Sequence, residues 1–214
     1  MSSPMTNNTG ILFDLDGVLL DTEGMYSDFW ASVDKRFPTH VAHFTDVIKG
    51  SNLETILNTY FAPSLHQEIE DSLATFQSNM NYRFFPGAVA WLDQLRDAGI
   101  PMAVVTSSDS SKMEAVYAQH PGFRDYFKAV VVGEMVSKPK PSPECFLLGA
   151  RLLGLDIATC YVFEDSLNGI EAAHASGAKV IGLSTTNSKE MLQDKADLVI
   201  DSFDGFTIKE MCAL

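Results

Sequence analysis

The chain is short of cations: 15 Lys and Arg face 28 Asp and Glu, for a net charge of −13. Such a surface disfavours nucleic acid or an anionic membrane as a partner, because both need a positive face. A small anionic substrate, which needs only a few local cations, stays open. Cysteine is scarce and odd in number. Cys145, Cys160 and Cys212 lie at scattered positions, giving neither a disulfide framework nor a metal-ligand pair, and they point to a reducing compartment. No apolar run approaches the ~20 residues of a membrane span. The first nine residues are polar and lack the charged-then-apolar order of a signal peptide. Asn7-Asn8-Thr9 fits a glycosylation sequon, but without a secretory signal it reads as a chance match. A soluble, cytoplasmic protein is expected, and no internal repeat or low-complexity tract is visible. What is present is ordinary for a globular enzyme: 214 residues, 46% hydrophobic and 20% charged, enough for one or two domains with a sizeable core.

One stretch stands out. Gly10-Ile11-Leu12-Phe13 is an apolar run of strand composition, and it leads straight into Asp14-Leu15-Asp16-Gly17. Residues i and i+2 of a strand point to the same side, so Asp14 and Asp16 are placed to converge. Like charges held close need a cation or a shared proton. A surface Asp-Gly turn is the other reading of the same residues.

Behind this stretch the pattern is helical. Asp21-Thr22 is a helix start, and Met25, Phe29, Val33 and Phe37 recur every four residues after it. Leu53, Ile56, Leu57, Tyr60 and Phe61 repeat the pattern up to Pro63, and Leu65, Ile69, Leu73, Phe76 and Met80 give a third helix. After Phe84-Phe85-Pro86-Gly87 the pattern changes. A helix over Ala88, Trp91, Leu92 and Leu95 stops at Gly99. Strands are then expected over 101–106, 129–132, 160–163, 179–183 and 198–200, with helices between them. Ser111 and Glu114 match a capping box, and Ser142-Pro143-Glu144 reads as a cap residue, a first-turn proline and an early acid. This alternation predicts an α/β fold with a parallel sheet covered on both faces. Ligands in such sheets bind beyond the carboxyl ends of the strands.

Those ends carry suggestive polar residues. Glu164-Asp165 follows an apolar strand as Asp14 does, and acids at neighbouring strand ends supply the hard oxygens that Mg²⁺ prefers. A plain helix cap at Asp165 or Ser166 is the alternative. Thr106-Ser107-Ser108 offers hydroxyls and free N–H groups suited to a phosphate, or simply a serine-rich capping loop. Lys138-Pro139-Lys140-Pro141 sets a cation on a stiff loop, where a lone lysine is ordinarily just solvated. His40 and His43 read as surface residues.

Taken in order, Asp14–Gly17, Val104–Ser107, Lys140–Pro143 and Glu164–Gly169 resemble the four motifs of the haloacid dehalogenase superfamily, from Ile11 to about Ile200. The resemblance implies a Rossmann-like core of residues 1–19 and 84–214, with an inserted all-helical cap over 20–83. It implies a Mg²⁺-dependent phosphoric monoester hydrolase in which Asp14 is the nucleophile and Asp16 the general acid and base. Asp14, the Asp16 backbone oxygen and Asp165 would hold the metal, with Glu164 beside it as a ligand or a supporting residue. Thr106, Ser107 and Lys140 would bind the phosphoryl group, and Lys140 fits the pattern better than Lys138. Asp16 also separates the chain from the dehalogenases, which lack an acid at that place.

For the leaving group, Lys49-Gly50-Ser51-Asn52 and Glu23 are the candidates, each also readable as a helix-linking turn or a solvated charge. The pattern is similar to sugar-phosphate phosphatases and to β-phosphoglucomutase. It departs from the mutase at Tyr26, where the mutase has a histidine, and at Leu53, where it has a phosphate-gripping arginine. The phosphonate-hydrolysing relatives need a cap lysine that the stretch between Gly17 and Lys35 lacks. The expectation is a monomeric phosphatase of a small phosphorylated metabolite, a sugar or polyol phosphate. A phosphosugar mutase is the alternative, followed by an idle relative that only binds a phosphometabolite.

Overall fold

The computed structural model describes residues 8–214. Asn7 of the sequon and most of the polar start lie outside the described residues. Six strands alternate with helices: β1 (Gly10–Phe13), β2 (Met102–Val105), β3 (Ala129–Val131), β4 (Cys160–Glu164), β5 (Lys179–Leu183) and β6 (Leu198–Ile200). They form one parallel sheet in the order β3-β2-β1-β4-β5-β6. The expected α/β architecture is therefore present, and β1 lies inside the sheet between β2 and β4. Neighbouring registers pair Phe13 with Val104 on one side and with Phe163 on the other, so the residues that follow these strands emerge side by side.

The strand period sorts side chains onto two faces. Ile11, Phe13, Val104 and Phe163 pack with Trp91, Leu92 and Leu95 of the helix Ala88–Asp97. Leu12, Val105 and Val162 face the opposite way, against Phe146, Ala150 and Leu153 of the helix Glu144–Leu153. Phe13 and Phe163 stack at 4.9 Å between ring centroids. Each fully buried side chain of this size contributes ~1.5–3 kcal/mol, which is what fixes the strand ends so closely.

Between β1 and β2 come α1 (Glu23–Arg36), α2 (Phe44–Val47), α3 (Leu53–Tyr60), α4 (His66–Asn79) and α5 (Ala88–Asp97). Helices α1 to α4 share a hydrophobic cluster of their own, with Trp30, Phe44, Leu57, Phe61 and Ile69 at its centre. After β2 follow α6 (Ser110–Gln119), α7 (Glu144–Leu153), α8 (Leu167–Ser176), α9 (Lys189–Leu192) and α10 (Ile208–Met211).

Two helix starts differ from expectation. The cap of α6 is Asp109, whose side chain accepts from the Lys112 amide at 2.8 Å; the Ser111/Glu114 match falls inside the helix instead. Helix α7 begins at Glu144 with Pro143 in the cap position and no side-chain cap. Thr22 stands at the cap of α1 but makes no cap hydrogen bond, because its hydroxyl is used elsewhere. Ser166 does cap α8, accepting from the Gly169 amide at 3.0 Å. Among the described residues, no helix is long and apolar enough to cross a membrane.

Candidate active site

Strand β1 stops at Phe13, so Asp14 and Asp16 lie in the turn beyond it rather than on the pleat. Both line one cavity, but each has its own partners. Asp14 is almost fully buried, and the Lys140 ammonium donates to its Oδ1 at 2.5 Å. The same ammonium donates to Glu164 Oε1 at 2.6 Å and to the Val105 carbonyl at 3.4 Å. Burial works against the Lys140 charge, yet Asp14 and Glu164 outweigh it and hold its pKa above the ordinary range. Lys138 is exposed, so Lys140 is the lysine of that loop that enters the site.

Glu164 is committed in every direction. Its Oε2 accepts from the amides of Asp165 and Ser166 at 2.9 Å each and from the Ser166 hydroxyl at 3.0 Å. Gly169 makes room for it: a Cβ there would stand 1.8 Å from Glu164 Oε1. Gly17 does the same for Asp165, whose Oδ2 a Cβ would meet at 2.0 Å, and its φ of +76° suits glycine besides. These two glycines let buried carboxylates pass close to backbone.

Asp16 faces the helical segment. Its Oδ1 accepts from the Thr22 hydroxyl and from the Lys112 ammonium, and its Oδ2 accepts from the Ser108 hydroxyl at 3.0 Å. Sequence reading missed Lys112. The signal was there, since Lys112 shares the inward face of α6 with Met113 and Val116, and a lysine among core positions needs an acid. Thr106 is buried, and its Oγ1 accepts from the Ser108 amide at 3.0 Å.

The acids outnumber the two lysines that meet them. Burial first, then Glu164 and Asp16, push Asp14 up to about 8 even though Lys140 opposes them. Asp165 is driven well above the ordinary carboxylate range by burial, and the charges acting on it, from Glu164, Glu23 and Asp14, are all negative. Such a set fits a divalent cation of the Mg²⁺ kind, which takes hard oxygens and keeps several waters. Among the described residues, no group of three or more His, Cys, Asp or Glu side chains could hold a metal ion by itself; the fit is to an open site completed by backbone oxygen, water and substrate.

The helical segment closes the cavity from the other side. Ser107, expected at the phosphate, donates its hydroxyl to the Gly50 carbonyl at 2.8 Å, and Asn168 donates to the Lys49 carbonyl at 2.8 Å. The loop 49–52 thus reaches the carboxyl end of the sheet. Lys49 lines the cavity with its ammonium on Asp46 at 3.0 Å. Glu23 also lines it, and burial followed by Asp16 raises its pKa to about 7. The space is about 390 Å³, lined on the helical side by Tyr26, Trp30, Leu53, Ile56 and Leu73 with Asn58 and Gln77 among them. His40 and His43 are exposed and lie outside it.

Residues 9–177 match the haloacid dehalogenase-like hydrolase family. The chain belongs to that family. Hexitol phosphatase A of Escherichia coli (strain K12) is 31% identical over 205 residues, covering 93% of both chains. The bifunctional riboflavin kinase/FMN phosphatase of Arabidopsis thaliana is 32% identical over 90% of this chain, which spans about half (52%) of that relative. The fold is also that of β-phosphoglucomutase from Clostridium difficile, with a TM-score of 0.79 over 96% of each chain at 22% identity. Family and relatives together make the chain a phosphoric monoester hydrolase.

Proposed function

We propose that the protein is a Mg²⁺-dependent phosphatase of a small sugar or polyol monophosphate that works through an aspartyl-phosphate on Asp14. The observation that carries this reading is Asp14, held from behind by the buried Lys140–Glu164 pair, opening with Asp16 and Asp165 onto one cavity. In this reading residues 20–83 are the cap over a core formed by the rest of the chain. Asp14, the Asp16 backbone oxygen and Asp165 would hold the cation, and Glu164 is left out of the ligand set because donors occupy both of its oxygens. Bound there, Mg²⁺ would screen the repulsion between the carboxylates and the phosphate.

The chain's own groups then act in two half-reactions. A carboxylate oxygen of Asp14 attacks phosphorus, the bond to the leaving oxygen breaks, and that oxygen takes a proton from Asp16. Water next attacks the same phosphorus and gives its proton to Asp16. The bond to Asp14 breaks, inorganic phosphate leaves, and both side chains return to their starting states. Lys140 stabilises charge on Asp14 and the phosphoryl group, while Thr106 and the neighbouring amides orient the phosphoryl oxygens. The cap excludes water during the first half-reaction.

The helical side of the cavity argues against a second phosphate. Leu53 and Tyr26 line it, and its one lysine, Lys49, is already paired with Asp46. A neutral polyol with an apolar face suits it better than a bisphosphate. The enzyme is taken to act as a cytoplasmic monomer, with neither nucleic acid nor membrane as partner. The test is phosphate release from a panel of hexitol and sugar monophosphates with Mg²⁺ and with chelator. Metal-dependent release is expected, and its absence across the panel would overturn the reading. Rapid conversion of β-glucose 1-phosphate to glucose 6-phosphate in the presence of a bisphosphate primer would favour a mutase instead.

A further inference from the structure

Lys112 is the one lysine besides Lys140 whose side chain is buried among the described residues, with 0% exposed. A buried ammonium is costly unless its hydrogen bonds are met, and here they are met by the site itself. It donates to Asp16 Oδ1 and, at 3.0 Å, to the Ser108 hydroxyl. Its Nζ also lies 4.3 Å from the centroid of the Tyr26 ring, within cation–π range. The Tyr26 hydroxyl in turn accepts from Gln77 at 3.2 Å. Ser108 and Lys112 belong to the sheet side, whereas Tyr26 and Gln77 belong to α1 and α4. A chain of contacts therefore runs from Gln77 through Tyr26 and Lys112 to the carboxylate of Asp16.

We propose that Lys112 is a positioning residue that aims the Asp16 carboxylate and, through its contact with Tyr26, ties that aim to the seating of the helical segment. This rests on the reading of Asp16 as the group that exchanges protons with the leaving oxygen and with water. The geometry requires a third anchor for that role. Thr22 and Ser108 alone meet Asp16 from two sides through hydroxyls, and a hydroxyl rotates about its C–O bond. An ammonium sealed under an aromatic ring does not move in that way. The residue is also isolated from bulk water, so its charge acts on Asp16 with little screening.

The consequence differs between substrates. Departure of an alkoxide needs a well-placed acid, whereas p-nitrophenolate leaves without one. Attack of water on the phosphorylated Asp14 needs the base in both cases. Lys112→Met preserves the length and the ring contact while deleting the ammonium. It is expected to lower kcat for an alkyl phosphate by ~10–100-fold, the range for a misplaced acid–base group, with KM changed less than threefold. With p-nitrophenyl phosphate and Mg²⁺, the variant should show a burst of one p-nitrophenol per active site before a slow steady state, because phosphorylation is spared and hydrolysis of the phosphoenzyme is not.

A double-mutant cycle isolates the route of action. In an Asp16→Asn background, Lys112→Met should cost almost nothing further, since the group it aims is already gone. Lys112→Arg, which keeps a cation, should restore part of the alkyl-phosphate rate and remove the burst. Circular dichroism and thermal unfolding of each variant establish that it is folded. Should Lys112→Met fail to fold, the arginine and a Lys112→Gln variant carry the same comparison. Equal losses on both substrates without a burst, or full additivity with Asp16→Asn, would overturn the proposal by showing a general structural role. A folded wild-type protein with no Mg²⁺-dependent turnover of either substrate would instead overturn the phosphatase reading.

Discussion

At the scale of single residues, the site is a balance of buried charges. Asp14 meets one ammonium and the field of two other acids. Asp14→Asn keeps the shape and the hydrogen bond but removes the nucleophilic oxygen, so kcat should fall by at least ~1000-fold. Circular dichroism should show the fold unchanged, and full activity in a folded Asp14→Asn protein would remove Asp14 from its role. Glu23 gives a pH-dependent counterpart. Its folded pKa of about 7 lies above the ordinary 4.5, so the folded protein holds that proton more tightly than the unfolded chain. Its contribution to stability is therefore complete below pH 4.5 and is lost as the pH rises through 7. Glu23→Gln cannot ionise. Between acid and mildly alkaline pH the metal-free variant should gain ~2 kcal/mol on the wild type, the full shift being reduced by partial exposure. Denaturant titrations at the two ends of that range measure the difference, and a constant gap would contradict it.

At the scale of elements, the helical segment meets the core through apolar side chains such as Met25, Tyr26 and Phe76 and through a few polar contacts at the carboxyl end of the sheet. Ser107 and Asn168 each hold a backbone carbonyl of the loop 49–52. Each hydrogen bond contributes ~0.5–1.5 kcal/mol. The double variant Ser107→Ala, Asn168→Ala should therefore favour an open cavity by ~1–3 kcal/mol and lower kcat/KM by about tenfold. Small-angle scattering should report a larger radius of gyration. Unchanged kinetics and dimensions would mean that the apolar contacts alone hold the segment in place. Elements also explain where local sequence signals misled. The hydroxyl of Thr22 is drawn from the start of α1 to Asp16, because a hydrogen bond to a charged carboxylate is stronger than one to a backbone amide. Asp109 displaces the Ser111/Glu114 box since the loop from Thr106 turns into α6 one residue before Ser110.

At the scale of the whole molecule, the net charge of −13 and the cluster of buried acids both oppose folding in the absence of a cation. Mg²⁺ should raise Tm, by roughly 5–10 °C when present at 100 times its Kd, equivalent to ~2.7 kcal/mol. Asp165→Ala should abolish most of that shift, and an equal shift in the variant would place the ion elsewhere. The sequence by itself determined the parallel α/β core and the ordered motifs, because strand and helix periods and Asp-x-Asp-Gly are local patterns that burial enforces. It singled out the acids and the lysine loop as candidates, since a strand that is apolar to its end must deliver its next residue to the carboxyl end of the sheet. The motif order already favoured Lys140 over Lys138, but only the tertiary structure brought its ammonium to Asp14 and Glu164 across 126 and 24 residues of chain. It alone brought Lys112 to Asp16, 96 residues away. Such pairings arise when burial leaves a charge no water to turn to, and no local pattern encodes the partner it finds.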